Sequence, residues 1–169
     1  MKYRDHHAAI FLPPNVSDAI EAARRKWDPV MAAQILAHVT LIYPQESPVV
    51  DQLVECVRAG ARATQPFTLQ LGGFACFEHP EGGVCLEVED IGEDYQRFRE
   101  RSLEPHLHRV AFSPHVTLVH PRTSSRGREF WDHGRWQPER QEFSVEEVVI
   151  TAFNGTTWIP TDRFPLGQE

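Results

Sequence analysis

The hydrophobic pattern switches repeatedly between the two-residue alternation of strands and the three-to-four-residue recurrence of helices. The block from His7 to Leu12 (HAAIFL) predicts a buried strand stopped by Pro13-Pro14, after which Ser17 reads as the cap of a helix carrying Ile20, Ala23 and Trp27 on one stripe. A β-branched run from Ile35 to Tyr43, closed by Pro44, predicts a second strand. Ser47-Pro48 then opens a helix with Val50, Leu53, Val54, Val57 and Ala61 turned inward. Phe67, Leu69 and Leu71 alternate with polar residues, as do Val84, Leu86 and Val88 beyond Gly82-Gly83, the signature of a hairpin.

A third helix is expected over about Glu93 to Leu103, with Ile91, Tyr95, Phe98 and Ser102 on its inner side. It is followed by a strand from Pro114 to Pro121 and a short helix near Phe130 and Trp131. Phe143 to Phe153 and Thr156 to Ile159 flank Asn154-Gly155, a dipeptide suited to a tight hairpin turn. The succession is that of an α+β chain, and with no linker in it a single domain over residues 1–169 is expected.

Within this pattern one stretch occurs twice. Ala37 to Pro44 reads AHVTLIYP and Pro114 to Pro121 reads PHVTLVHP, so His-Val-Thr-Leu recurs with a proline at the same offset, 77 residues on. Side chains alternate along a strand, which puts His38, Thr40 and Ile42 on one face and Val39 and Leu41 on the other. His115, Thr117 and Val119 share a face in the same way. Side by side about a pseudo-twofold axis, the two strands would line one cleft with two imidazoles and two hydroxyls.

Composition narrows what that cleft can meet. A formal charge of -7 argues against a long basic track for duplex nucleic acid, so a nucleic-acid partner is expected to be an end or a small nucleotide. No apolar run reaches membrane-spanning length and the N-terminus is polar, which predicts a cytoplasmic protein, and a monomer without an obligate protein partner is expected. Cys56, Cys76 and Cys85 lack zinc-ribbon spacing and read as small hydrophobes.

Near neutral pH one imidazole can accept a proton while its partner donates one, so His38 and His115 form a candidate acid/base pair that needs no metal or cofactor. Thr40 and Thr117 offer hydroxyls to non-bridging phosphate oxygens. Paired H-x-T motifs followed by an apolar residue, each on a strand, resemble those of the 2H phosphoesterase superfamily and its 2'-5' RNA ligase branch. The resemblance implies two pseudo-symmetric β-sheet lobes flanked by helices around a central cleft. It further implies hydrolysis of 2',3'-cyclic phosphates or 2'-5' linkages, or RNA end joining, with His115 activating water and His38 protonating the departing 3' oxygen. Hydrolysis is favoured over ligation, since forming a phosphodiester without an activated donor is uphill in water.

Other residues take part in less specific ways. Arg122, Arg126 and Arg128, just beyond the second motif, suit a solvated face and are also candidates to grip substrate phosphates, Arg122 and Arg126 foremost. Phe11 and Phe77, or Phe74, have base stacking set against core packing. A metal cluster of His106, His108, His115 and His120 is disfavoured, because alternation sends His115 and His120 to opposite faces. His6, His7, His79 and His133 read as solvated. Two further functions stay open: a nucleotide-binding module without turnover, and a phosphoesterase for a non-RNA cyclic phosphate, such as one of an ADP-ribose derivative.

Overall fold

A computed structural model describes residues 5–47, 49–77, 82–103, 113–136 and 139–168. In chain order the elements are β1 (His6–Phe11), α1 (Pro14–Trp27), α2 (Pro29–Gln34), β2 (His38–Ile42), a 3-10 turn (Pro44–Glu46) and α3 (Val50–Arg62). There follow β3 (Phe67–Phe77), β4 (Gly83–Glu89), α4 (Asp94–Ser102), β5 (His115–Val119) and α5 (Gly127–His133). The chain ends in β6 (Glu142–Val145), β7 (Glu147–Phe153) and β8 (Trp158–Pro165). The class is α+β, as expected.

All eight strands join one antiparallel sheet in the order β6-β3-β4-β5-β2-β1-β7-β8. The seam lies at β2 and β5, which pair at Val39 and Val116. Either side of it stands a lobe of four strands, β5-β4-β3-β6 and β2-β1-β7-β8. β6 closes one end of this order and β7 lies near the other, yet only Glu146 separates them in sequence. Consecutive Cα atoms lie about 3.8 Å apart, so the sheet has to curl for one chain segment to serve both lobes.

The lobes repeat each other in detail. β1 and β2 pair with an irregularity between Ala8 and Ala9, and β4 and β5 with one between Val84 and Cys85. In each case one residue of the motif strand, Leu41 or Leu118, is extra. The bulges correct one expectation: Ile42 and Val119 do not share the face of their histidines but join Leu41 and Leu118 in the core, all four 0% exposed.

The helices cover the face carrying Ile10, Val39, Leu41, Leu86, Val116 and Leu118, and they cross between the units they connect. α1 and α5 meet through Trp27 and Phe130, with ring centroids 5.6 Å apart. α3 meets α4 at Gly60, where a Cβ would stand 2.2 Å from Ser102 Oγ. Tyr95 and Phe98 are buried as predicted, but Ile91 is 51% exposed because it precedes the helix rather than lying on its inner stripe.

Several boundaries move for local reasons. α1 starts at Pro14, whose ring presets the helical φ, so Ser17 is already inside the helix and not its cap. The predicted Ile35 to Tyr43 strand starts only at His38, because residues 35–37 lead out of α2, an unpredicted helix that Asp28 caps by accepting from the Met31 amide at 3.0 Å. α3 begins two residues beyond the Ser47-Pro48 signal. The expected Phe143 to Phe153 strand is divided between lobes at Glu146. Asn154-Gly155 does make the predicted turn: Gly155 has φ +98, and Asn154 Oδ1 accepts from the Thr156 and Thr157 amides at 2.9 and 2.8 Å.

Candidate active site

His38 and His115 open their strands on the face opposite the helices. Extending the Val39–Val116 register places His38 across from Thr117 and His115 across from Thr40. The histidines are then diagonal neighbours, a relationship that corresponds to about 7–8 Å in an antiparallel pair. Such a gap admits a phosphate between two ring nitrogens, with a hydroxyl on either flank.

Each ring is anchored in the same way. His38 Nδ1 lies 2.8 Å from the Leu36 carbonyl oxygen, and His115 Nδ1 lies 2.8 Å from that of Ser113. A carbonyl only accepts, so both Nδ1 atoms carry the hydrogen, and Nε2 is the nitrogen each histidine has for proton transfer. The two-residue offset is identical because the two strands begin alike.

Buried polar groups hold these strand entries and exits. Arg24, 1% exposed, donates to both Glu21 carboxylate oxygens at 3.0 Å and to the Ile35 carbonyl at 2.8 Å, while Glu21 accepts from the Ala37 amide. The segment bearing the Leu36 carbonyl is thereby gripped on both sides. From α4, Tyr95 donates its hydroxyl to the Thr40 carbonyl at 2.7 Å, and Arg99 binds the Leu41 carbonyl and Glu46. Asp28 receives the His120 amide at 2.8 Å and the Thr123 hydroxyl at 2.7 Å, fixing the exit of β5.

Burial favours the uncharged form of both imidazoles in the free protein. Burial pushes the His38 pKa down to about 4, only partly offset by the Leu36 carbonyl, with Arg24 and His115 pushing the same way. Burial also lowers His115, against the Ser113 carbonyl.

Phe11 is the cross-strand partner of His38, with ring centroids 5.9 Å apart, and Phe77 stands edge-on to His115 at 5.2 Å. Phe74 instead packs on Phe130 and Trp136, away from the motif strands. Arg122 is exposed on the turn after β5. Arg126 is committed elsewhere: it binds Glu129 at 3.0 and 3.1 Å and the Lys26 carbonyl at 2.9 Å, and lies over Trp27 on the helix side. His79, His106 and His108 lie outside the described residues, among which no group of three or more metal-ligating side chains occurs. No helix among the described residues is long and apolar enough to cross a membrane.

His7 departs most from expectation. It is 4% exposed, with Nδ1 3.0 Å from Thr151 Oγ1, its ring 5.3 Å from that of His38, and burial holding its pKa well below the usual value. Proximity to the terminus suggested solvent, but β1 lies between β2 and β7, and Trp158 of β8 packs edge-on against the ring at 4.4 Å. The alternation of His7, Ala9 and Phe11 was the signal available.

Residues 12–157 match the model of the 2'-5' RNA ligase superfamily. A Bacillus cytotoxicus protein named "Putative phosphoesterase" is 23% identical, the match covering 94% of this chain and 95% of that protein. One of the same name from Oceanobacillus iheyensis is 26% identical, covering 95% and 97%. Among solved structures, E. coli LigT complexed with NADP+ superposes with a TM-score of 0.66 at 20% identity, covering 99% of this chain and 100% of that one. TT0787 of Thermus thermophilus superposes with a TM-score of 0.65 at 19% identity, covering 98% and 99%. LigT structures also hold 3'-AMP, ATP or phosphate.

Proposed function

The chain belongs to the 2'-5' RNA ligase superfamily, and from that premise we propose that it hydrolyses the phosphodiester of a ribonucleotide, a 2',3'-cyclic phosphate in the first instance, using His38 and His115. The matched Nδ1 anchors carry the reading: they present two Nε2 atoms to one phosphate-sized gap. Relatives named phosphoesterases and the phosphate and nucleotides held by LigT support the same substrate class.

In the proposed reaction the phosphate lies between the rings, and Thr40 and Thr117 donate hydroxyl hydrogens to its non-bridging oxygens. His115 Nε2 takes a proton from water as the water oxygen bonds to phosphorus. The P–O3' bond breaks, His38 gives its Nε2 proton to O3', and a nucleoside 2'-phosphate leaves. His115 then gives its proton to solvent, and His38 takes one up as the next phosphate binds. None of these steps calls for a metal.

His38 has to be charged for this role, although its pKa in the free protein is about 4. The substrate supplies the difference. A phosphate charge about 4 Å away, at an effective dielectric constant of about 20, favours the imidazolium by about 4 kcal/mol. That corresponds to about three pKa units and brings the pKa of His38 to about 7 in the complex, so that the ring can carry its proton near neutral pH. With a 5'-hydroxyl in place of water the same pair would open the cyclic phosphate to a 2'-5' linkage, but in water hydrolysis prevails.

The test is incubation with nucleoside 2',3'-cyclic monophosphates and a 2'-5'-linked dinucleotide in the presence of chelator, resolving 2'- from 3'-phosphates by chromatography. A 2'-phosphate formed by the wild type and absent with His38→Ala is expected. Binding without any product would favour a phosphate-binding module, and turnover of a base-free cyclic phosphate alone would favour a non-RNA phosphoesterase.

A further inference from the structure

The two walls of the cleft differ in chemistry. On one, aromatic rings follow each other across the sheet, with centroids 5.9 Å apart from Phe11 to His38, 5.3 Å from His38 to His7, 4.4 Å from His7 to Trp158 and 5.3 Å from Trp158 to Phe153. Strand register puts them on one face: Phe11 pairs with His38, His7 with Thr151, and Phe153 with Trp158. The opposite wall carries exposed carboxylates, Glu87 across from His115 and Glu89 and Glu142 on either side of Gln70.

His7 gives this aromatic wall a polar atom to satisfy. Thr151 engages Nδ1, but Nε2 is buried without a hydrogen-bond partner. A buried nitrogen left unpaired is costly, and such an atom beside a reactive centre marks a place where a ligand can complete the bonding. Trp158, against the same ring and half-buried at the start of the edge strand, offers the largest aromatic surface on that wall.

We infer that Trp158 and His7 form a nucleobase subsite, Trp158 supplying a stacking surface and His7 Nε2 a hydrogen bond to the edge of the base. The inference rests on the proposal that His38 and His115 hold the phosphate. A nucleobase combines a π face with a polar rim, matching a wall of rings with one unsatisfied nitrogen. The carboxylates opposite repel further phosphates, so the ligand extends toward β8 and is a short nucleotide or a chain terminus rather than RNA laid across both lobes.

The discriminating measurement compares kcat/KM for a nucleoside 2',3'-cyclic monophosphate with that for base-free 1-O-methylribose 2',3'-cyclic phosphate. The wild type is expected to favour the nucleotide by about tenfold or more, the scale of base stacking on an aromatic ring. Trp158→Ala removes most of that preference through KM, Trp158→Phe retains most of it, and His7→Phe removes part. An undiminished preference in Trp158→Ala, or none in the wild type, overturns the subsite. If the wild type turns over neither compound, the hydrolase proposal fails, and calorimetric titration with a nucleoside 2'-monophosphate then decides the subsite. Affinity about tenfold weaker in Trp158→Ala upholds it, and equal affinity overturns it.

Discussion

Glu21 and Arg24 form a buried ion pair, with N and O 3.0 Å apart, whose remaining bonds grip the chain on either side of Leu36. Removing one member of such a pair leaves an uncompensated buried charge, which typically costs about 3–5 kcal/mol, whereas replacing both with apolar residues of similar volume is often tolerated. Glu21→Ala is therefore expected to lower stability by about 3 kcal/mol, and Glu21→Leu with Arg24→Met to recover much of that loss. Urea unfolding of the three proteins checks it. A single mutant as stable as the wild type would refute the bracing role.

The proposed roles of His38 and His115 separate when the leaving group no longer needs a proton. Each alanine variant is expected to lose about 10²–10⁴-fold in kcat on a 2',3'-cyclic phosphate while keeping its fold, the usual range for acid/base groups. On a nucleoside 2'-(4-nitrophenyl) phosphate, whose aryl oxygen takes the place of O3' and leaves without a proton, His38→Ala should regain most of its rate and His115→Ala should not. Rescue of His115→Ala alone would exchange the two roles.

Both histidines have pKa values lowered in the free protein, and kcat/KM reports that state. Its maximum lies between the two apparent values, hence below pH 6.5, and it declines toward pH 8 as the acid loses its proton. The maximum of kcat lies higher, because bound phosphate favours protonation of both rings. Rate profiles from pH 4.5 to 8.5 read the coupled pair. A kcat/KM maximum above pH 7 would contradict the burial of these groups.

Stability should also fall on acidification. His7, His38 and His115 have folded pKa values below the unfolded value, so their contribution is fully present above about pH 6.5 and is lost as pH falls toward the folded values. Over that interval the unfolded chain binds protons that the folded one does not, and each histidine adds up to about 1.4 kcal/mol per pH unit to the slope. Thermal unfolding at pH 7.5 and pH 5 should show a drop in Tm, smaller in His7→Phe. An equal drop in that variant would mean His7 takes up its proton alike in both states.

Thr40→Ala and Thr117→Ala are expected to raise KM more than they lower kcat, because a hydroxyl that holds a non-bridging oxygen acts on the bound substrate as well as on the transition state. Steady-state kinetics on the cyclic phosphate separate the two parameters. A purely kcat effect would place these hydroxyls on the transition state alone.

The paired HVTL segments made the central strands, their shared face and the four motif residues legible, because strand alternation is local. The segment around Arg126 was legible only in part. Its guanidinium suited a phosphate, but Glu129, three residues on, and the Trp27 ring from a distant helix claim it instead.

From sequence alone came the period of each element, the pseudo-symmetry of the motifs and the chemistry of an imidazole pair, since these depend on side-chain type and short spacing. Only the tertiary structure decided which distant groups meet. β6 and β7 are parted by one residue in sequence yet serve opposite lobes, so the curl of the sheet belongs to the whole assembly. His7 became part of the cleft for the same reason: its neighbours Thr151 and Trp158 arrive from strands more than a hundred residues later. Burial, and with it the low pKa of the histidines, is a property of packing among such remote segments and is written in no single stretch of the chain.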